Sequence, residues 1–465
     1  MDTGVRLYST LTRRKEPLVA DADGTVRIYV CGPTVYNRIH IGNARPYVVF
    51  SVLKRFLTRR GGVRVVFVSN LTDVNDKIYE AAQREGRPSA EMAEAYSRAY
   101  VKDTDRLGLG RPDAEPKVTE TMPEIIALIS DLVEKGLAYP AGGDVYYRVA
   151  RFAGYGKLSG QRIDEMVSGE PGDAKQSPLD FALWKGRKPG EDTWWDSPWG
   201  EGRPGWHIEC SAMAEKLLGT EIQVHGGGID LAFPHHENEI AQSEGARDRP
   251  FAQIWMHNEM LELSGEKMAK SVGNIERLGD VLDRWPREVV LAFFLTSHYR
   301  SKLPYSDERM AQARDWCDRL RNALRALDRA IEAPAEGQDR SLAQMLIEAR
   351  SRFFAALDDD FNTPEAFAVL ADLVRATNGA VESARPGADQ LREAKHVLLE
   401  LLDVFGLATL DELEEIPAEV TELARRRDQA RAGRDFAEAD RLRDNIVAQG
   451  FEVRDTPEGT QVYRA

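Results

Sequence analysis

The apolar positions near the start of the chain alternate between two periods. Val26 to Cys31 reads as a short strand, ended by Gly32 and Pro33. From about Asn43 to Arg59, the residues Val48, Val49, Val52, Leu53, Phe56 and Leu57 recur at i, i+1, i+4 and i+5, which predicts a helix with one apolar face. Pro46 is expected in its first turn, where a missing N–H costs nothing. After Gly61-Gly62, the β-branched run Val63 to Val68 predicts a strand covered on both faces. Strand, helix and strand make a βαβ unit, the opening of a doubly wound, Rossmann-like α/β domain.

The pattern changes at about Glu115. One helix (Pro123 to Lys135) is followed by short tyrosine-rich strands and many Gly and Pro turns up to Arg203, which predicts an insertion splitting the α/β domain. Strand-like Glu221 to His225 and the triple glycine Gly226-Gly227-Gly228 return the chain to that domain. From about Asp307 onward, long amphipathic patterns predict a helical bundle, broken at Ala333-Pro334 and Arg385-Pro386-Gly387. The expected organisation is a split Rossmann-like α/β domain (1–114 and 204–255), an insertion (115–203), a connecting region (256–306), a helical bundle (307–405) and a small C-terminal domain (406–465).

Composition narrows the class. A length of 465 residues suggests about three domains, and 42% hydrophobic with 30% charged residues suits a soluble protein with ample core. The longest apolar run, Val289 to Leu295, is too short to span a bilayer, and the first twenty residues hold no stretch suited to a signal peptide. A cytoplasmic protein without membrane association is expected. Three scattered cysteines do not make a disulfide framework, so reduced thiols are expected, and Cys31 and Cys210 are free for a metal. A net charge of −14 argues against nucleic acid, with one local exception. Arg425, Arg426, Arg427, Arg431, Arg434, Arg441 and Arg443 crowd one predicted helical stretch, which also reads as a solvated helix paired to Asp428, Asp435, Glu438 and Asp440.

The motifs carry the chemistry. Pro33-Thr34-Val35-Tyr36-Asn37-Arg38-Ile39-His40-Ile41-Gly42-Asn43 lies between strand and helix, where a helix N-terminus offers free N–H groups to phosphates. Far downstream comes Lys267-Met268-Ala269-Lys270-Ser271, in a polar loop. The pair resembles the HIGH and KMSKS signatures of class I aminoacyl-tRNA synthetases. Tyr29-Val30-Cys31-Gly32-Pro33-Thr34, Gly205-Trp206-His207-Ile208-Glu209-Cys210 and Phe233-Pro234-His235-His236-Glu237-Asn238-Glu239 narrow the resemblance to the cysteinyl-tRNA synthetase family over almost the whole chain.

The resemblance implies a cysteine–tRNA ligase that forms cysteinyl-adenylate from L-cysteine and ATP, with Mg²⁺, and then charges tRNA(Cys). It implies that His40, Gly42, Asn43, Lys267 and Lys270 serve the ATP phosphates and their transition state, and Asp230 the ribose. It also implies one zinc ion on Cys31, Cys210, His235 and Glu239. His235 and Glu239, four apart on an expected helix, share a face. Four ligands would close a tetrahedral site, so a fifth must be accepted or one must yield, and Glu239 is the looser candidate. A soft thiolate prefers zinc far more than a hydroxyl does, which would separate cysteine from serine without editing. Thr72, Trp206 and His207 match the family's substrate pocket.

The insertion matches the acceptor-stem connective region, 256–306 the signature-loop and stem-contact region, and 406–465 the anticodon-binding domain, with Arg431, Asp440 and Asp455 as base readers and Phe436 where the family usually carries Trp. Cys317 is expected in the core. Leu357-Asp358-Asp359-Asp360-Phe361-Asn362-Thr363-Pro364 also matches the family and has no evident chemistry; Asn362 or Thr363 is expected to cap a helix, with Pro364 first in it. Nothing demands a dimer, so a monomer is expected. Two rivals remain: a ligase that passes cysteine to an amino-sugar, and an RNA-binding protein that has lost catalysis.

Overall fold

The N-terminal hairpin β1 (Asp2–Ser9) and β2 (Arg14–Val19) precedes the βαβ unit β3 (Thr25–Val30), α1 (Ile41–Arg60) and β4 (Arg64–Ser69). The coordinates are a computed structural model that describes residues 1–163, 174–263, 266–267, 276–332, 340–384, 386–412, 417–456 and 459–464. Helices α2 (Asp76–Glu85) and α3 (Ser89–Asp105) follow. The insertion holds α4 (Met122–Glu134) and four strands, β5 (Ala138–Ala141), β6 (Asp144–Tyr147), β7 (Phe181–Gly186) and β8 (Gly202–Pro204), antiparallel in that order. It is fastened to the catalytic layers by the Tyr147 hydroxyl, which donates to the Ala241 carbonyl (2.7 Å).

The chain then adds α5 (Ile208–Leu218), β9 (Ile222–Gly228), α6 (Glu237–Arg247) and β10 (Ala252–Asn258). The central sheet is parallel with the order β10-β9-β3-β4. From β3 the chain crosses to β4 on one side, and from β9 to β10 on the other. The seam between β3 and β9 is therefore a topological switch point, where ligands sit beyond the carboxyl ends of the strands. All seven residues of β9 are buried, as a strand covered on both faces requires.

Two local expectations are corrected here. Helix α1 starts at Ile41, with His40 as its N-cap, so Pro46 lies beyond the first turn. Its absent N–H leaves the Gly42 carbonyl without the regular helical donor. The triple glycine does not follow the strand but forms its last three residues. A Cβ on Gly226 would overlap the Phe50 ring of α1, so only glycine lets the helix lie this close to the sheet. Gly226→Ala is expected to cost about 1–3 kcal/mol, the usual range for overpacking a core, measurable by denaturant unfolding.

Beyond the sheet come β11 (Leu261–Leu263), β12 (Glu266–Lys267), α7 (Leu278–Arg284), α8 (Arg287–Leu295) and β13 (Leu303–Tyr305). The three strands form a small sheet in the order β12-β11-β13. Four helices complete this unit: α9 (Asp307–Glu332), α10 (Arg340–Asp358), α11 (Thr363–Gly379) and α12 (Ala388–Val404). Helix α9 buries Met310, Ala313, Cys317, Leu320, Leu324 and Leu327, a single helical stripe that places Cys317 in the core. The cap of α11 is Asn362, whose side chain accepts from the Glu365 N–H (3.2 Å), and Pro364 takes the second helical position rather than the first.

Residues 1–410 form one compact unit and 411–465 a second. The second contains α13 (Ala418–Ala432), α14 (Phe436–Ala448) and the hairpin β14 (Phe451–Thr456) and β15 (Gly459–Arg464). Val420, Ala424, Ile446, Phe451 and Val462 make its core. The single arginine-rich helix expected here is thus two helices, parted where Arg434 adopts φ = 59°. Among the described residues no helix is long and apolar enough to cross a membrane.

Candidate active site and metal centre

A cleft of about 450 Å³ opens at the switch point, lined by Cys31, Tyr36, His40, Asn43, Trp206 and Asp230 among others. At one end, the turn from β3 into α1 presents the N-terminus of a 20-residue helix. The Asn43 side chain turns back to accept from the His40 N–H (3.3 Å), which fixes the pair at the helix mouth. A Cβ on Gly42 would lie 2.9 Å from His40 Nδ1, so glycine lets the imidazole fold over the helix start. Asp230 reaches the same cleft from the short turn after Gly228. The segment after the second signature meets this turn through its backbone: the Ile41 N–H donates to the Glu276 carbonyl (2.9 Å), and His40 forms a bridge with Arg277. Lys267 is placed by its backbone in β12, and Lys270 lies outside the described residues.

At the other end, four elements bring donors together. Cys31 directly follows β3, and its N–H donates to the Gly226 carbonyl (3.1 Å). Cys210 and Glu239 each occupy the third position of a helix, α5 and α6, where the dipole favours negative charge. His235 stands in the wide turn Ala232–His236 just before α6 rather than inside a regular helix. One ligand atom from each of the four lies within 4.8 Å of the others, and all four residues are buried. His235 Nε2 is 3.1 Å from Glu239 Oε1, and the Cys31 thiol donates to the same oxygen (3.2 Å).

The electrostatics are those of a charged group kept from water. Burial and the hydrogen bond with Cys210 push the Cys31 thiol well up. Burial would also raise Cys210, but its bond to Cys31 and the nearby His235 outweigh this and bring it down to about 6. Burial works against a charged His235, yet the Glu239 carboxylate raises it to about 10. Glu239 in turn is held well below the usual carboxylate range, because His225 and His235 outweigh its burial. Glu239 Oε2 has no hydrogen-bond partner. Two sulfurs, an imidazole and a carboxylate, buried with an orphaned oxygen, fit a thiophilic divalent cation.

The surroundings orient these donors. His207 Nδ1 lies 2.9 Å from His235 Nδ1, which directs Nε2 of His235 toward Glu239. Burial, with His235 beside it, keeps His207 well below the usual imidazole range and hence neutral. The Trp206 ring packs 4.5 Å from the His235 ring, centroid to centroid. The Thr72 hydroxyl donates to Glu209 Oε1 (2.5 Å) and accepts from Asn70 Nδ2 (3.1 Å), so it reaches the group through the neighbours of Cys210.

Several participants carry no sequence signature. His225 Nε2 lies 3.6 Å from Cys31 Sγ and 3.4 Å from Glu239 Oε2. With His236 it completes a second overlapping group, Cys31, His225, His236 and Glu239. Behind it, His236 Nδ1 meets His257 Nε2 (2.7 Å), and His257 Nδ1 meets the Thr10 hydroxyl (2.8 Å). Only the position of His225, directly before the triple glycine that ends β9, could have pointed to it.

In the second unit, Phe436 opens α14 and is 63% exposed, and Asp440 is exposed on the same helix. Arg427 donates to Asp455 (2.5 Å) and Arg431 pairs with it, so the Asp455 carboxylate is held below its ordinary range, first by the hydrogen bond from Arg427. Arg425 pairs with Glu422 within α13 and Arg441 with Glu438 within α14, while Arg426 reaches from α13 to Glu438 on α14.

The switch-point cleft, its helix mouth and the split parallel sheet define a class I aminoacyl-tRNA synthetase. Residues 18–315 match the model of the class I (C) tRNA synthetase catalytic domain, 352–409 the DALR domain, and 413–464 the cysteinyl-tRNA ligase anticodon binding domain. The chain belongs to the cysteine–tRNA ligase family. A cysteine–tRNA ligase of Brevibacillus brevis is 46% identical over 468 residues, covering 99% of this chain and 100% of that one. One from Symbiobacterium thermophilum is 47% identical over 475 residues, with 99% and 100% covered. The fold is shared with the Mycobacterium tuberculosis methionyl-tRNA synthetase in complex with methionyl-adenylate, at a TM-score of 0.61 and 15% identity, with 89% of this chain and 96% of that one covered.

Proposed function

We propose that this chain activates L-cysteine with ATP and transfers it to the 3′-terminal ribose of tRNA(Cys). The observation that carries the reading is the buried group Cys31, Cys210, His235 and Glu239, which meets the cleft through Cys31, in the same cleft as the His40–Asn43 helix mouth. Cysteine would meet the thiol-selecting donors with its side chain and point its carboxylate toward ATP, whose phosphates the N–H groups of the helix mouth would hold. Cys31, Cys210, His235 and Glu239 would hold a zinc ion, which, with Glu239 yielding or a fifth ligand accepted, would supply a soft acid that prefers a thiolate to a hydroxyl and so would separate cysteine from serine at binding. His207 holds the His235 ring in place, and Trp206 covers it on the cleft side.

The cysteine carboxylate attacks the α-phosphorus of ATP, and the bond to the β-phosphate breaks, releasing pyrophosphate. His40, Asn43, Lys267 and Lys270 would meet the charge that develops on the phosphates, and Asp230 would hold the ribose. Mg²⁺ accompanies the ATP. A ribose hydroxyl of the tRNA then attacks the acyl carbon, and AMP leaves.

In this reading residues 115–203 grip the acceptor stem and 256–306 the stem and signature loop. Residues 307–405 form the connecting bundle, and 406–465 meet the anticodon through Arg431, Phe436, Asp440 and Asp455. In the same reading the chain acts as a monomer, and two thiols that must stay reduced suit the cytoplasm. Charging of tRNA with cysteine tests the reading. Chelation of the metal should lower charging by more than about 100-fold, and zinc should restore it. Cysteine-dependent pyrophosphate exchange without charging would point to another acceptor; absence of both would end the assignment.

A further inference from the structure

Arg45, two residues past Asn43 on α1, is a large cation sealed from solvent at 1% exposure. It donates to four backbone carbonyls on two separate segments. Nη1 reaches Glu259 (2.7 Å) and Met260 (3.2 Å), and Nη2 reaches His298 (3.1 Å) and Ser301 (2.7 Å). Burial pulls its guanidinium down to about 10, so it remains charged at neutral pH.

Those segments are the roots of the small sheet that carries Lys267. Glu259 and Met260 lead into β11, and Ser301 leads into β13. The two strands pair in parallel, Leu261 opposite Leu303, and β12 pairs with β11 with Lys267 opposite Glu262. The far side of the signature loop is tied to the same turn, through Ile41 to Glu276 and His40 to Arg277.

A second clamp closes on the 298–301 loop from the helical side. Asp360, also 1% exposed and at φ = 66°, ends the aspartate triplet between α10 and α11. Its Oδ1 accepts from the Tyr299 hydroxyl (2.6 Å) and the Tyr8 N–H (2.8 Å), and its Oδ2 from Arg300 Nε (2.8 Å). The Glu259 N–H donates to the Tyr299 carbonyl (2.8 Å) and joins the two clamps.

We propose that Arg45 is a positioning residue for adenylation: with Asp360 gripping the 298–301 loop from the opposite side, it sets the distance between the His40–Asn43 helix mouth and the strand pair that carries Lys267. Only a planar fork with five donors spans four carbonyls on two segments; an ammonium cannot. Asp360, the last of an aspartate triplet that had no chemistry in the sequence, acquires a task as the outer half of this clamp. The inference rests on the adenylation reading above.

The test is cysteine-dependent ATP–pyrophosphate exchange by the full chain, with zinc content, KM for cysteine and thermal unfolding measured alongside. Arg45→Met should lower kcat by about 100-fold, the size of effect that a misplacement of order 1 Å has. KM for cysteine and zinc content should stay within about twofold, because the metal group stands on other elements. Arg45→Lys, which keeps the charge and loses the fork, should recover only part of kcat, and it serves as the decisive variant if Arg45→Met does not fold. Asp360→Asn should lower kcat in the same sense and by less. Variant kcat within threefold of the wild type would overturn the proposal, as would a joint fall of kcat, zinc content and cysteine affinity, which marks a structural role alone. Absence of exchange in the wild type would instead overturn the adenylation reading.

Discussion

Cys210→Ser should abolish cysteine activation while leaving the nucleotide end of the cleft intact. The thiol is 1% exposed at the third position of α5, next to Cys31 and His235. Serine matches its volume, so the packing survives. What changes is the donor: a hydroxyl is a poor ligand for a thiophilic cation, and it cannot supply the anion that the thiol, at a pKa of about 6, supplies at neutral pH. Loss of a direct ligand should weaken metal retention by more than the roughly 100-fold that loss of a supporting partner costs, and pyrophosphate exchange should fall with it. ATP binding measured at equilibrium should change little, because His40, Gly42 and Asn43 stand on α1 and not on α5. Cys317→Ser is the control. That cysteine packs in the stripe of α9, so its replacement should alter stability alone. Normal zinc stoichiometry and normal exchange in Cys210→Ser would remove Cys210 from the metal group.

The sequence and the structure agree where short-range chemistry decides the outcome. The β3–α1–β4 unit was legible because its apolar residues keep helical and strand periods, and the parallel pairing of β3 with β4 follows from the crossover. His235 and Glu239 were linked by their spacing of four, but the full set with Cys31 and Cys210 was legible only as a family pattern, since no periodicity links positions so far apart; the fold then brings one ligand atom of each within 4.8 Å of the others.

The features that escaped depend on tertiary packing. The strand pattern of Glu221 to His225 stops at the triple glycine, but Gly226, Gly227 and Gly228 pair with Met256, His257 and Asn258 and extend β9, and Phe50 of α1 leaves no room for a Cβ at Gly226. Pro46 sits deeper in its helix than expected because His40, not a later residue, caps it. Arg434 divides an arginine-rich run that a charge count reads as continuous. The histidine chain His225, His236, His257 and Arg45 with its four carbonyls leave no trace in spacing, because their partners lie on other strands and loops. Lys267 is placed by its backbone and Lys270 lies outside the described residues, so the second signature is read from the sequence.

His40→Ala should separate transition-state stabilisation from binding. The imidazole folds over the start of α1 against Gly42, at the end of the cleft opposite the sulfur donors. If it meets charge that develops on the phosphates as pyrophosphate departs, removal should lower kcat for exchange by about 10²–10³-fold, the range for losing one preorganised donor. KM for cysteine and zinc content should hold, because none of the four metal donors stands on α1. His40 is also the N-cap of α1, and loss of a cap costs about 1 kcal/mol, which is small against the stability expected of a domain of this size. Unfolding and activity therefore report on different roles of one residue. A variant that loses kcat and keeps its melting temperature within a few degrees places His40 at the reacting phosphates. Exchange within fivefold of the wild type would leave it as a cap, and the catalytic charge would then fall to Asn43, Lys267 and Lys270.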